Sequence, residues 1–225
     1  MDTKTLPVVP QNQKPAQLSR EEQWREKAVA RYRTARASRN GKDLWMCICA
    51  MQEGFEHLPS FRDDPLVKEV AVLFKSAARE LPSEDKSPGQ NSLLLAGAGD
   101  ILADTGDYAF AQECFDKAIQ LTPNDEDVYM VKAWAYLGAG DREKAIEYFE
   151  KTLSLNPTRV RAMAMLGMLY RITHKFSKAK NYYEQYLLFS SEEDEGEKQR
   201  RIVARKWLPC LNRKIELFGE ELRYS

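Results

Sequence analysis

The chain has 225 residues, 43% of them hydrophobic and 30% charged, so it can bury a sizeable core without disulfide bonds or metals. Lys plus Arg and Asp plus Glu each number 34, and this balance excludes a global field that attracts nucleic acid or an anionic membrane. The longest apolar stretch, Leu44 to Met51, is too short to cross a bilayer, so we expect no membrane insertion.

The amino-terminal third is predicted to be a leader followed by helices. Residues 1–18 hold prolines and amides but few large apolar side chains, which predicts a flexible leader. Ser19 and Glu22 have the spacing of a capping box, so the first helix should begin there and end near Ser38. Asn40-Gly41 is expected to be its stop.

Two more helices complete a helical region over residues 19–82. One is predicted from Lys42 to His57, and the other begins at Asp64-Pro65 and reaches Leu81-Pro82. Residues 83–91 are polar and read as a linker.

The middle of the chain repeats itself every 34 residues. Gly106-Asp107 recurs as Gly140-Asp141, and Pro123 recurs as Pro157. In this register the repeats span 92–125, 126–159 and 160–193, and each is long enough for one helical hairpin.

The second repeat carries large and small residues at fixed positions: Tyr129, Ala133, Tyr136, Gly140, Ala145, Phe149 and Pro157. This pattern resembles the tetratricopeptide repeat. The first repeat departs from it mainly at Leu102, where an aromatic is typical. The third departs at His174, in place of the turn glycine, and at Ser191, in place of the terminal proline.

The resemblance implies an all-α, tetratricopeptide-type α-solenoid of three helical hairpins, with additional helices on both sides. Residues 42–82 form a degenerate fourth repeat in one interpretation, because Trp45 and Phe74 occupy matching positions. Residues 197–225 are expected to form a carboxyl-terminal capping helix, kinked or divided at Pro209. Its capping face is predicted to comprise Trp207, Leu208, Leu211, Ile215, Leu217 and Phe218.

No group of residues has the spacing of a catalytic or metal site. The two histidines, His57 and His174, lack metal-ligand spacing to Cys, Asp or Glu, and the glycines do not form a phosphate loop. We therefore expect no enzyme activity, no cofactor and no metal.

In the family, defined positions of each first helix line a concave groove, so the resemblance implies which residues face it. The predicted peptide-binding residues are Asp100, Met130, Val131, Trp134, Leu137, Arg161, Ala164, Met165, Met168, Arg171 and Ile172. They predict an apolar, methionine-rich floor with acidic groups at one end and arginines at the other. The family's clamp for acidic chaperone tails is not predicted, because Ala96, Asp100, Val131 and Met165 replace its key residues.

Two functions follow from this groove. The first is a cytoplasmic adaptor or chaperone that holds an apolar segment of a client protein or peptide, and its architecture is similar to the translocator chaperones of bacterial type III secretion. The second is a structural subunit or homodimer, formed through the amino-terminal helices, whose groove is filled by its own helix or a second copy. Neither involves nucleic acid.

Overall fold

The computed structural model describes residues 18–80, 88–192 and 194–218, and within these ranges every regular element is helical. Residues 1–17 of the predicted leader, residues 83–87 of the predicted linker and residues 219–225 of the predicted capping helix lie outside the described residues. The helices are α1 (Arg20–Ser38), α2 (Gly41–His57), a 3-10 helix (Pro59–Asp63), α3 (Pro65–Glu80), α4 (Pro88–Asp104), α5 (Tyr108–Leu121), α6 (Glu126–Gly138), α7 (Arg142–Leu155), α8 (Val160–Ile172), α9 (Phe176–Phe189) and α10 (Glu195–Phe218). The predicted fold class is confirmed.

Three consecutive hairpins, α4 with α5, α6 with α7 and α8 with α9, occupy the predicted repeats. Glycines allow the two helices of a hairpin to approach closely. A Cβ atom at Gly99 would lie 2.8 Å from the Phe115 ring, and one at Gly167 would lie 2.7 Å from the Tyr183 ring. Both ring and glycine positions are those that the 34-residue pattern predicts, so the hairpin core follows directly from the sequence.

The hairpin turns share one backbone conformation. Gly106 and Gly140 both have φ of +83°, and His174 takes φ of +60° at the equivalent position of the third hairpin. The N–H groups of Asp141 and Lys175 each bond a carbonyl five residues earlier, as in a Schellman motif. The third turn therefore keeps the repeat geometry although a histidine replaces glycine.

The junction between α1 and α2 differs from the prediction. The capping box at Ser19 and Glu22 is present, but Arg39, with φ of +49°, takes the left-handed conformation that ends α1. Asn40 instead caps α2, because its side chain accepts a hydrogen bond from the N–H of Asp43. α1 ends at Ser38 as predicted, but Arg39, not Asn40-Gly41, takes the conformation that ends it.

The packing of α2 and α3 is not that of a tetratricopeptide hairpin. α2 lies along α1 and docks on α4, whereas α3 contacts α4, α1 and the 3-10 helix. A repeat over residues 42–82 would require α2 and α3 to be close partners.

The predicted linker over residues 83–91 is too long, because α4 already begins at Pro88. Proline suits the first position of a helix, where a backbone N–H would have no partner within the helix.

Helix α10 closes the carboxyl-terminal end of the array. Ala204 and Leu211 are buried against α8 and α9, and Trp207, Leu208 and Ile215 pack beside them. α10 is continuous through Pro209, so a division there is wrong; the proline lies on the exposed side, and buried residues hold the helix on both sides of it. Leu217 and Phe218 are exposed, which corrects their place in the predicted capping face.

Candidate peptide-binding groove

The concave side of the hairpins contains a cavity of about 570 Å³. Its lining residues come from five elements: Gln52, Phe55, Arg62, Asp100, Asp104, Val131, Trp134, Leu137, Gly138 and Arg161. Five predicted groove residues thus meet here, on the inner helices of three successive hairpins. We refer to this cavity and its lining as the groove.

Trp134 is the largest partly exposed side chain of the groove. Its indole packs edge-to-face on Phe149 of α7, with ring centroids 5.6 Å apart and an interplanar angle of 89°. Phe149 is fully buried, so it fixes the indole from below, while 37% of the Trp134 surface stays exposed. A rigid, half-exposed indole can contribute contact area with little loss of side-chain entropy.

The remaining predicted residues lie elsewhere. Met130 is buried in the core, and Ala164 and Met165 pack against the carboxyl-terminal cluster. Met168 is partly buried and Ile172 is exposed, and neither belongs to the described lining of the groove. The predicted methionine-rich floor is therefore wrong for this cavity, whose apolar floor is Trp134, Val131 and Leu137.

Arg171 also departs from the prediction. Its guanidinium lies 4.1 Å from the centre of the Trp207 ring on α10. The position pattern of the repeats could not show this contact, because α10 lies outside the repeats. Arg161 is thus the one of the two predicted arginines that lines the groove.

The α4 side of the groove is acidic. Asp100 and Asp104 lie one helical turn apart on α4. Gln52 Nε2 donates a 2.9 Å hydrogen bond to Asp100 Oδ2. Burial raises the pKa of Asp100 to about 6, and the charge of Asp104 adds to this rise, while Gln52 and Arg62 oppose it.

Arg62 reaches the same end from the 3-10 helix. Its Nε donates a 3.2 Å hydrogen bond to Asp104 Oδ1, and its guanidinium lies 5.0 Å from the centre of the Phe55 ring. No pattern in the sequence predicts that Gln52, Phe55 and Arg62 belong to the groove. They precede the repeats by dozens of residues, and only the docking of α2 on α4 places them at the groove.

Neither a metal site nor a membrane span accompanies the groove in the described parts of the chain. There, no three His, Cys, Asp or Glu side chains are grouped so that they could hold a metal ion. None of the described helices combines the length and apolarity needed to cross a bilayer.

Stacked helical hairpins with an open concave groove define the class of helical-repeat interaction proteins. Models of the tetratricopeptide repeat match residues 92–125, 126–159 and 160–192. The chain therefore contains three tetratricopeptide repeats, which occupy residues 92–192. Such repeats mediate protein–protein interaction.

Two of the sequence relatives are a co-chaperone and an assembly protein by name. The chain is 28% identical over 132 residues to the tetratricopeptide repeat and J domain-containing co-chaperone DNJ1 of Cryptococcus neoformans, covering 59% of this chain and 25% of that protein. It is 23% identical over 127 residues to the photosystem I assembly protein Ycf3 of Prochlorococcus marinus, covering 55% of this chain and 72% of that protein. The chain thus spans only a quarter of the length of the co-chaperone.

Solved structures with the same fold include MamA and BtubC. MamA superposes with a TM-score of 0.51 at 20% identity, covering 76% of this chain and 95% of MamA. BtubC from P. vanneervenii superposes with a TM-score of 0.53 at 14% identity, covering 91% and 94%. At these identities the likeness concerns the fold alone.

Proposed function

We propose that this chain is a protein–protein interaction module, a cytoplasmic adaptor or chaperone that holds an extended apolar segment of a client protein in its groove. The observation that carries the proposal is the half-exposed Trp134 in a cavity of about 570 Å³ on the concave face. An extended segment has side chains that alternate in direction, so it can place apolar anchors on Trp134, Val131 and Leu137 while its backbone runs across the helices.

The size of the groove suits a short segment. Neighbouring inner helices are roughly 10 Å apart, so about six extended residues reach from α4 to α8. Burial of apolar surface contributes about 25 cal/mol per Å², which must exceed the entropy lost when the segment becomes ordered. The names of DNJ1 and Ycf3, a co-chaperone and an assembly protein, support handling of another protein. The similarity to type III secretion chaperones stays a prediction from architecture.

The test uses two tryptophans that are almost equally exposed. Trp134 is 37% exposed in the groove, and Trp45 is 38% exposed on α2, where it lines a separate cavity with Leu93 and Leu94. Trp134→Ala should weaken binding of co-purified clients at least tenfold in a pull-down followed by affinity measurement. Trp45→Ala should leave the same affinities unchanged. Equal affinities for wild type and Trp134→Ala would show that the groove does not hold the client.

The second candidate, a structural subunit or homodimer, is favoured by exposed apolar side chains at the carboxyl-terminal end. Leu188 is 78% exposed and Ile202 is 57% exposed, and both lie on the last two helices. Sedimentation velocity tests this: Leu188→Ser with Ile202→Ser should abolish any concentration-dependent dimer. A dimer that persists in this variant would exclude dimerisation through these carboxyl-terminal side chains.

A dimer through the amino-terminal helices is the other form of that candidate. α1 contributes Ala28, Tyr32 and Ala35 to the amino-terminal core, where all three are buried. Deletion of residues 1–41 would therefore expose this core and disturb folding. Substitutions on the exposed side of α1 test this form of the dimer without removing residues of the core.

A further inference from the structure

The charges of the groove are separated across its apolar floor. Asp100 and Asp104 line the side formed by α4, and Arg161 lines the side formed by α8. Trp134 lies between them on α6, and it also lines a smaller adjoining cavity of about 320 Å³ with both aspartates. The indole and the two carboxylates thus share one space.

Arg62 already places a cation in this space. Its guanidinium is paired with Asp104 and lies against the face of Phe55, a combination of carboxylate and aromatic ring that suits a cation. The Arg62 side chain is 42% exposed and comes from a short 3-10 helix, so solvent screens the pair and weakens it. An arriving cation that contacts both carboxylates can therefore displace it.

Trp134 offers a second aromatic face beside the carboxylates. Tryptophan is the ring that binds cations best, and partial burial strengthens the interaction between a cation and the ring. Asp100 strengthens the acidic side further, since it is partly buried and keeps a hydrogen bond from Gln52 that orients it.

We propose that the client segment carries a lysine or arginine that lies against Asp100, Asp104 and Trp134, followed by apolar residues on the floor and an acidic residue near Arg161. This inference rests on the proposed function and adds the charge order of the client. A basic residue at one end and an acidic residue at the other also fix the direction in which the segment binds.

The experiment selects binders from a displayed library of random twelve-residue peptides, using the full-length chain and, in parallel, its Trp134→Ala variant. Peptides that bind wild type and not the variant should be enriched in a Lys or Arg next to apolar residues. Wild-type-specific peptides with no excess of basic residues would overturn the charge order while leaving the groove function in place. Failure to obtain any Trp134-dependent peptide would overturn both.

The most enriched peptide is then measured by fluorescence anisotropy against variants of the chain. Asp100→Asn with Asp104→Asn should raise Kd at least tenfold, and replacing the basic residue of the peptide with Gln should have a similar effect. Arg62→Ala should lower Kd about threefold, because it removes the competing cation. The control Glu147→Gln, an exposed carboxylate on α7, should leave Kd unchanged.

Two results would contradict the proposal at this stage. If Arg62→Ala weakens binding, Arg62 itself contacts the client and the α4 side recognises an acidic group. If deletion of residues 1–17, which include Lys4 and Lys14, lowers the Kd of the selected peptide at least tenfold, these residues compete for the groove and the chain itself, not a client, is its main occupant.

Discussion

The two ends of the repeat array are closed by different means. At the amino-terminal end, α2 docks on α4 with Ile48 against Gly97 and a hydrogen bond from Gln52 to Asp100. At the carboxyl-terminal end, α10 adds to its apolar contacts a buried polar network in which Tyr186 of α9 donates a 2.7 Å hydrogen bond to Glu197. α2 leaves the concave face open and forms one wall of the groove, whereas α10 reaches Arg171 of the third hairpin. The end elements therefore determine how much of the concave face is available.

The largest effect is expected where α2 meets α4. A Cβ atom at Gly97 would lie 2.8 Å from Ile48 Cγ2, so Gly97→Val should separate the two helices and lower the free energy of unfolding by about 3 kcal/mol. Urea titration measures the loss.

A double-mutant cycle supplies the control for this contact. In an Ile48→Ala background, Gly97→Val should be much less harmful, because the clashing side chain is gone. The docking described for α2 is incorrect if Gly97→Val is as stable as the wild type.

The next effect concerns the polar closure at the other end. Arg201 is buried, and its Nη1 donates to the carbonyls of Ser190 at 2.5 Å and Leu187 at 3.0 Å. Arg201→Met should lower the free energy of unfolding by about 2 kcal/mol, because it removes the hydrogen bonds to these buried groups.

Arg205 is the matched control for Arg201. Both arginines contact Glu192, but Arg205 is exposed. Arg205→Met should change the free energy of unfolding by less than about 0.5 kcal/mol. Similar losses for the two variants would mean that the ion pair with Glu192, rather than the buried carbonyl contacts, holds α10 in place.

A substitution of Asp100, on the α4 side of the groove, is expected to stabilise the folded chain. The pKa of Asp100 rises from 3.8 to about 6 in the folded chain, so the folded state binds a proton more tightly than the unfolded one. Tighter proton binding by the folded state stabilises the fold. This stabilisation is fully present below pH 3.8 and is lost as the pH rises through 6. Asp104 and Arg62 are the charged groups that act on this pKa, the first raising it and the second lowering it.

Asp100→Asn removes that dependence while keeping an acceptor for Gln52. It should raise the free energy of unfolding by about 1–2 kcal/mol at pH 7.5, and the difference should vanish near pH 4. Thermal or urea unfolding at several pH values measures it. A pH-independent difference would mean that Asp100 is not held in an unfavourable charged state.

The smallest effect tests the left-handed turn conformation that all three hairpins share. Gly140 has φ of +83° with open space around the Cβ position, so Gly140→Ala should destabilise by about 1 kcal/mol through backbone conformation alone. Gly138→Ala is the control, since Gly138 also has open space but lies in α6 without positive φ. It should be neutral or slightly stabilising. Equal effects at both positions would exclude a special role for the turn conformation.

The sequence could predict features that depend on local spacing. The recurrence of Gly106 and Gly140 predicts the turns, and small residues such as Gly99 and Gly167 predict where helices approach closely. These features are readable because each hairpin repeats the same physical constraints within 34 residues.

Contacts between the repeats and the flanking helices could not be predicted in the same way. The pairing of Arg62 with Asp104, and that of Arg171 with Trp207, joins segments that share no period. Their partners depend on how α2 and α10 dock, which is decided by shape complementarity over the whole interface. Met130 is buried among residues of the repeats and Met165 is partly buried, so neither lines the cavity around Trp134.

The most direct test places a photoreactive residue at Leu137 in the full-length chain and maps its crosslinks by mass spectrometry. The groove account predicts adducts on an apolar segment of a different protein that includes a lysine or arginine, lost in the Trp134→Ala variant. Adducts confined to the chain's own residues, or to a second copy of it, would contradict the account.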